Sequence, residues 1–288
     1  MELSIIINNY KTRGLLKQCL KGIYAFPPAM PFEIVIVDNN SQDGSVEMIR
    51  EMFASTNINK KDLIIDQKII GTIEEFSPNV KLIASSKNLG HHKGNNLGIK
   101  NSSGKYVLIM NTDVAVFDNS LNELYYFMEK NPQIALAGPR LHNADGSIQK
   151  SCMRFPKIMT PFYRRIFLFI LPSAKKDLAR YLMEDFDHRS SIPVDWILGA
   201  CQIVRRSAIE RVGLLDEFLF LYFGDVAWCQ QFWQQGMPVY YFAGADIIHY
   251  HRRESNDFFS KTFWIHISDW IKYLLKYHFH VIPQKEKN

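Results

Sequence analysis

Tyr106-Val107-Leu108-Ile109-Met110-Asn111-Thr112-Asp113 decides the fold: five apolar residues give way within three positions to an amide, a hydroxyl and a carboxylate. An unbroken apolar run of that length fits a strand covered on both faces, the environment of a parallel sheet. Leu3–Ile7, Glu33–Val37 and Val80–Ala84 repeat the pattern, and each run is followed by a segment with helical spacing. The alternation predicts an α/β fold with a mostly parallel central sheet flanked by crossover helices.

In such sheets ligands sit beyond the carboxyl ends of the strands. The residues just after each run therefore belong together: Asn9-Tyr10, Asp38-Asn39, Ser85 to Gly90, and Asn111 to Asp113. Two of these exits carry an aspartate, and a desolvated carboxylate needs a ligand or a capping role to offset its cost. After the second strand, Asp38 is placed to accept hydrogen bonds from a base or ribose, while Asp43 or Ser45 suits the cap of a helix near Val46. Asn88 to Gly98 brings glycines and amides into a helix whose N-terminus suits a diphosphate, with His91, His92 and Lys93 adding positive charge. Adjacent helical residues point about 100° apart, so His91 and His92 do not chelate one ion together. Asp113 is placed to bind a divalent cation, Mg²⁺ or Mn²⁺, that also holds phosphate oxygens.

Of 288 residues, 47% are apolar and 22% charged, the profile of an ordinary globular chain with one large core. A net charge of +5 is consistent with anionic partners and does not call for nucleic acid. The four cysteines, Cys19, Cys152, Cys201 and Cys229, form no C-x-x-C pair, which fits a reducing cytoplasm better than a zinc site or a disulfide framework. The opening Leu3 to Ile7 has no signal-peptide pattern. The apolar segment Ile166 to Leu171 is far short of the roughly 20 residues that span a bilayer. Lys60 to Pro78 reads as a surface insertion. Pro156 to Arg189 reads as a connecting region with short helices around Phe162 to Leu171 and Lys175 to Met183.

Taken in order, Ser4 to Tyr10, Asp38 to Ser45, Asn88 to Gly98, Asn111 to Asp113 and the stretch from Asp195 to His251 resemble family 2 glycosyltransferases of GT-A fold. The rhamnosyltransferase-like bacterial members are the most similar, and the resemblance covers about residues 3–255. It implies a nucleotide-sugar site at Asn9, Tyr10, Asp38, Asn39, Asn88, Gly90, Asn95 and Asn111. It implies a metal and diphosphate at Asp113, and a catalytic base in an acidic pair, here Asp225. Gly224 stands where the family usually has glutamate, Ala227 where a further aspartate is common, and Lys11 in place of an asparagine. Val194 to Ala200 resembles the segment lining donor sugar and acceptor, so Asp195, Trp196 and Gly199 join the candidates, although Trp196 equally suits a core. His249 and His251, at strand spacing, face one side, where one of them suits the metal or diphosphate, and a structural role suits His251 equally.

These readings predict a GT-A domain over residues 1–255, with its nucleotide half at about 1–115 and its acceptor side at about 116–255, followed by a C-terminal helix and tail. They predict inverting transfer of a hexose, with rhamnose a candidate, from a nucleoside-diphosphate sugar to a saccharide or lipid-linked hydroxyl in cell-surface polysaccharide or glycolipid synthesis. A sugar nucleotidyltransferase would open with a glycine-rich basic loop, which Asn8-Asn9-Tyr10-Lys11 is not. A non-catalytic nucleotide-sugar-binding or scaffold protein is the alternative that Gly224, Ala227 and Asn111 suggest. Over Phe258 to His280, the apolar residues Phe263, Ile267, Trp270, Ile271, Leu274 and Leu275 form one stripe with lysines nearby. That stripe suits a membrane surface or a partner, and equally a helix packed on the core. The expected location is cytoplasmic, with peripheral contact on the inner face of the membrane.

Overall fold

The computed structural model describes residues 1–53, 59–76, 79–165, 171–250 and 260–277. The elements run β1 (Leu3–Asn9), α1 (Arg13–Ala25), β2 (Phe32–Asp38), α2 (Ser45–Met52), β3 (Asn59–Ile65), β4 (Lys68–Phe76), β5 (Val80–Ser85), α3 (His91–Lys100), β6 (Tyr106–Met110), β7 (Val114–Ala115), α4 (Ser120–Lys130), β8 (Leu136–His142), β9 (Ile148–Gln149) and β10 (Cys152–Met153). They continue with α5 (Thr160–Arg165), α6 (Pro172–Tyr181), β11 (Ile192–Pro193), β12 (Trp196–Ile197), β13 (Cys201–Arg205), α7 (Arg206–Val212), α8 (Gly224–Gln234), β14 (Val239–His249) and α9 (Lys261–Tyr277).

The four strands read from apolar runs form the centre, β5-β2-β1-β6, all parallel. Period-2 alternation on β1 explains why its run is continuous. Leu3, Ile5 and Ile7 belong to the core on one face with residues of α1, α2 and α4, while Ile6 belongs to the core on the other with residues of α3, α8 and α9. On the β6 side the antiparallel β13 follows, then β8 and β14. The region read as a surface insertion is a hairpin: β3 and β4 pair antiparallel and extend the sheet beyond β5. Its mixed polarity has a simple cause, since β3 lies at the sheet edge and is mostly exposed. Residues 166–170 of the expected short helix lie outside the described residues.

The four cysteines are buried free thiols, and burial pushes those of Cys19 and Cys152 up to about 12, so neither is a reactive thiolate at neutral pH. No helix among the described residues is long and apolar enough to cross a membrane. The helix α9 is not the single stripe expected from the sequence. Phe263, Trp270, Tyr273 and Tyr277 face the protein, with Trp270 1% exposed, whereas Trp264, Ile271 and Leu275 are 64%, 51% and 71% exposed. The expected stripe mixed the edges of two faces, and the aromatic one docks.

Candidate active site

At the exits of β1 and β2, the register pairs Asn9 directly with Asp38. The Asn9 amide donates to Asp38 Oδ1 at 2.7 Å and to Ser41 Oγ at 2.9 Å, while the Ser41 N–H donates to Asp38 Oδ2 at 3.0 Å. Both oxygens of Asp38 are thus engaged within the protein. The carboxylate expected to contact a base or ribose also shapes the loop, and Asn9 and Asp38 are both buried. Asp43 accepts the N–H groups of Ser45 and Arg13, the first residues of α2 and α1, although the N-cap positions themselves are Gly44 and Thr12. Tyr10, 45% exposed, is the side chain this exit offers outward.

Asn39 bridges to the next exit, donating to the Gly90 carbonyl at 2.9 Å and accepting the Leu89 N–H at 2.8 Å; Asn88 accepts the Gly90 N–H at 2.9 Å. The first N–H of α3 is not free for an anion. The His91 N–H donates to the Phe220 carbonyl at 2.7 Å, and a Cβ on Gly90 would lie 2.7 Å from the Phe220 ring. Gly94 and Gly98 serve helix–strand packing, because a Cβ would come within 2.5 Å of Asn8 Nδ2 or 2.4 Å of Ile6 Cγ2. Nor do the expected basic residues present free charge. Burial, with His92 alongside, pushes the His91 imidazole down to about 3, and burial lowers His92 as well. Lys93 lies 3.5 Å from Glu217. Asn8 and Asn95 both donate to His91, and each keeps a buried Oδ1 without a hydrogen-bond partner among the described residues.

After β6, the short β7 pairs with the end of β14, and this zip brings His249 to Asp113. His249 Nε2 lies 3.4 Å from Asp113 Oδ1. The protonation of the ring is set from behind. Gln149 Nε2 donates to Asn143 at 2.9 Å, which leaves Gln149 Oε1 to face His249 Nδ1 at 2.7 Å. An amide oxygen can only accept, so Nδ1 donates to Gln149 and the ring turns Nε2 towards the Asp113 carboxylate. An imidazole oriented through its far nitrogen beside a carboxylate is a pair of residue types that suits a cation. No third His, Cys, Asp or Glu joins them among the described residues. That suits a cation whose other ligands are substrate phosphates and water. His251 lies outside the described residues.

Asp225 sits in the first turn of α8, and the residue before the helix is Phe223 at φ +64, a left-handed conformation that is costly for a bulky side chain. Asp225 Oδ2 accepts the Gly199 N–H at 3.0 Å and Oδ1 the Val226 N–H at 2.9 Å. It lies two residues past the N-cap, Phe223, so it is not the N-cap itself, although it accepts a first-turn N–H. Burial raises its pKa, opposed by the Gly199 hydrogen bond and by His92. The next residue, Ala200, accepts the Asn111 N–H at 2.9 Å, so residues 199–200 tie Asp225 to the Asn111–Asp113 triplet. Asp195 accepts the Phe155 N–H at 2.7 Å and lies 3.3 Å from Arg154, while the buried Trp196 donates to the Arg154 carbonyl at 3.0 Å. Of the three residues in that segment, Gly199 reaches the site. Trp196 is core, and Asp195 holds the chain at β10.

The loop before Asp225 is held by a residue that sequence reading passed over. Asp269 of α9, 0% exposed, accepts the N–H groups of Phe220, Leu221 and Tyr222 at 2.8–3.2 Å. Phe223 packs on His266, Trp270 and Tyr273 of the same helix.

A family model described as Glycosyl transferase family 2 matches residues 4–213, most of the chain. The chain belongs to glycosyltransferase family 2. It is 25% identical over 231 residues to an N-acetylglucosaminyl-diphospho-decaprenol L-rhamnosyltransferase of Mycobacterium tuberculosis, covering 76% of this chain and 67% of that protein. To a low-salt glycan biosynthesis hexosyltransferase, Agl10, of Haloferax volcanii it is 25% identical over 254 residues, or 86% and 67% of the two chains. Its fold is that of GT-A glycosyltransferases. GalNAc-T7, solved with UDP, GalNAc and Mn²⁺, superposes with a TM-score of 0.59 at 14% identity, over 88% of this chain and 44% of that one. The chain thus spans less than half of GalNAc-T7. TarS 1-349 of S. aureus superposes with a TM-score of 0.54 at 12% identity, over 97% and 74%.

Within this family 2 glycosyltransferase, the structure groups the sequence candidates into two sets. Asn9, Asp38, Asn39, Asn88, Gly90 and Asn95 form one polar network over β1, β2 and β5, and Asn111, Asp113, Gly199, Asp225 and His249 form a second beside it. Gln149 and Asp269 had no sequence signal, because each works through a contact made only by the fold. His92 did have one: a bulky residue preceding the i, i+4 glycines of α3.

Proposed function

We propose that this glycosyltransferase moves a hexosyl group, with inversion, from a nucleoside-diphosphate sugar to a hydroxyl of a saccharide or lipid-linked acceptor in cell-envelope glycan synthesis. The linkage of Asp225 through Gly199 and Ala200 to the Asn111–Asp113 triplet carries this reading, since it sets a buried carboxylate beside the predicted diphosphate site. The acceptor oxygen attacks the anomeric carbon, its proton passes to Asp225, and the bond to the diphosphate breaks with its electron pair leaving on phosphate. Burial keeps the carboxylate basic enough to take that proton. Asp113 and His249 fit a Mg²⁺ or Mn²⁺ ion, which when bound neutralises charge on the departing diphosphate. The rhamnosyltransferase relative supports a deoxyhexose donor and a lipid-diphosphate acceptor.

The outward face of α9, with Trp264, Ile271 and Leu275 exposed and Lys261 and Lys272 on its flank, supports peripheral contact with an anionic membrane surface where such an acceptor is displayed. On this reading the protein works at the cytoplasmic face of the membrane.

A thermal-shift panel of dTDP-L-rhamnose, UDP-N-acetylglucosamine, UDP-glucose, UDP-galactose and GDP-mannose, with Mn²⁺ or with EDTA, tests the donor reading. One donor should raise Tm with the ion and lose the shift in EDTA and in Asp113→Asn. A shift that persists in both removes the metal assignment. No shift with any donor, together with no release of nucleoside diphosphate, removes the transferase reading.

A further inference from the structure

The triplet Asn111–Asp113 is tethered residue by residue. Asn111 donates its N–H to the Ala200 carbonyl, and the Asp113 carbonyl accepts the Tyr250 N–H at 2.8 Å. Between them Thr112 is 7% exposed, and its Oγ1 lies 2.8 Å from Oγ1 of Thr12, in a segment far earlier in the chain. Thr12 Oγ1 is in turn 2.7 Å from Asn9 Oδ1, inside the network over β1 and β2.

Chemistry fixes the direction of every bond in this run. A carboxylate accepts, so the Asn9 amide turns its nitrogen to Asp38 Oδ1 at 2.7 Å and leaves its oxygen to Thr12. An amide oxygen only accepts and a hydroxyl has one proton, which Thr12 therefore commits to Asn9. Thr112 must then be the donor to Thr12. The bonds run from Thr112 to Thr12 to Asn9 and end on the Asp38 carboxylate, an order in which each member strengthens the next. Thr12 gives up a local role to take part. It occupies the N-cap of α1, where a threonine hydroxyl ordinarily accepts an N–H of the first turn, yet it makes no side-chain cap bond.

We propose that Thr112 and Thr12 are positioning residues, which hold Asp113 at a set distance from the Asn9–Asp38 network so that one nucleoside diphosphate spans both the network and the cation. Asp113 is the next residue after Thr112 and faces His249 from the other side, at 3.4 Å. The hydroxyl pair thus fixes the carboxylate with respect to β1, as the imidazole does with respect to β14.

The link itself is tested without any ligand, by the melting temperatures of Thr12→Val, Thr112→Val and the double variant. Valine keeps the shape and removes the hydroxyl. The double variant should melt close to Thr12→Val alone, because both substitutions delete the same bond; additive losses overturn the link. The positioning role rests on the reading of Asp113 as a cation ligand and has its own measurement. Affinities for UDP, dTDP and GDP are measured by titration calorimetry with Mn²⁺ and with EDTA, and the tightest binder is followed in the variants. Thr112→Val should cut the gain in affinity given by Mn²⁺ about tenfold, with affinity in EDTA within about twofold of the parent, whereas Thr112→Ser should retain most of the gain. An unchanged gain in Thr112→Val overturns the positioning role and leaves the metal assignment standing. An equal loss with Mn²⁺ and with EDTA makes the pair a prop of the network alone and overturns the role as well. A parent that binds none of the three, or binds equally with and without the ion, removes the nucleotide or the metal reading, and the positioning role falls with it.

Discussion

The two sides of this site are built by opposite means. The donor network is assembled by neighbouring strands: Asn9 faces Asp38 because β1 and β2 run parallel in register, and each residue lies at the end of its own apolar run. The base loop, residues 219–223, has no strand to hold it. It hangs between His91 and His92 of α3 on one side and Asp269 and the aromatic face of α9 on the other. One side inherits its precision from the sheet, and the other depends on contacts between segments far apart in sequence.

Asp225→Asn is the severest test of the contrast. Asparagine keeps an acceptor for the Gly199 N–H and removes the charge, so transfer should fall on the order of 10² or more while donor affinity stays put. The sign of the stability effect follows from the raised pKa. The folded state holds the Asp225 proton to higher pH than the unfolded chain does, so this group's contribution to stability falls as pH rises from the ordinary carboxylate range through the raised value. Above that value the ionised group is a cost, which asparagine removes. Calorimetric melting at neutral pH should find the variant at least as stable as the parent, and the pH–rate profile of the parent should show an ascending limb displaced above the usual carboxylate range. A variant that retains full transfer returns Asp225 to a structural role.

Asp269→Asn comes next in expected size. One oxygen remains where two served three N–H donors, which costs about 1–3 kcal/mol in stability and loosens the loop. Transfer should drop about tenfold through misplacement of Asp225, with donor affinity measured by titration calorimetry within twofold. A matching loss of donor affinity would mean that the two sides are one cooperative unit, and the comparison would fail.

Smallest of all is the effect of charging the outer face of α9. Trp264→Glu with Leu275→Glu alters two exposed side chains, so each should shift stability by no more than about 0.5 kcal/mol. Transfer to a soluble acceptor should be unaffected, while co-sedimentation with phosphatidylglycerol-containing vesicles falls. Undiminished sedimentation would assign that face to another partner.

How much could be read in advance follows the same division. The four central strands and the polar character of their exits were legible, because a buried parallel strand shows itself as a continuous apolar run. Asp113 was legible for the same reason. Asp38 shows the limit of such reading: its position was right, but only the structure reveals that Asn9 and Ser41 occupy both oxygens. The positive charge expected from His91 and His92 failed because burial decides imidazole charge, and burial is a property of the packed chain. Trp264 and Trp270 are six residues apart on one helix with opposite environments, a difference that a hydrophobic stripe alone does not resolve. Asp269 and Gln149 left no trace, since a carboxylate in a helix or an amide in a hairpin acquires its role from what the fold brings alongside.

Phe223 carries a consequence for how the protein is made. Its left-handed backbone costs about 1–3 kcal/mol for a side chain of that bulk, and the residues that hold it in place, His266, Trp270 and Tyr273, belong to the last described helix. On the ribosome the parallel sheet and both halves of the donor network emerge before α9. A nascent chain therefore lacks the side chains that hold Phe223 until α9 has been made, and the base loop cannot be set before that helix docks.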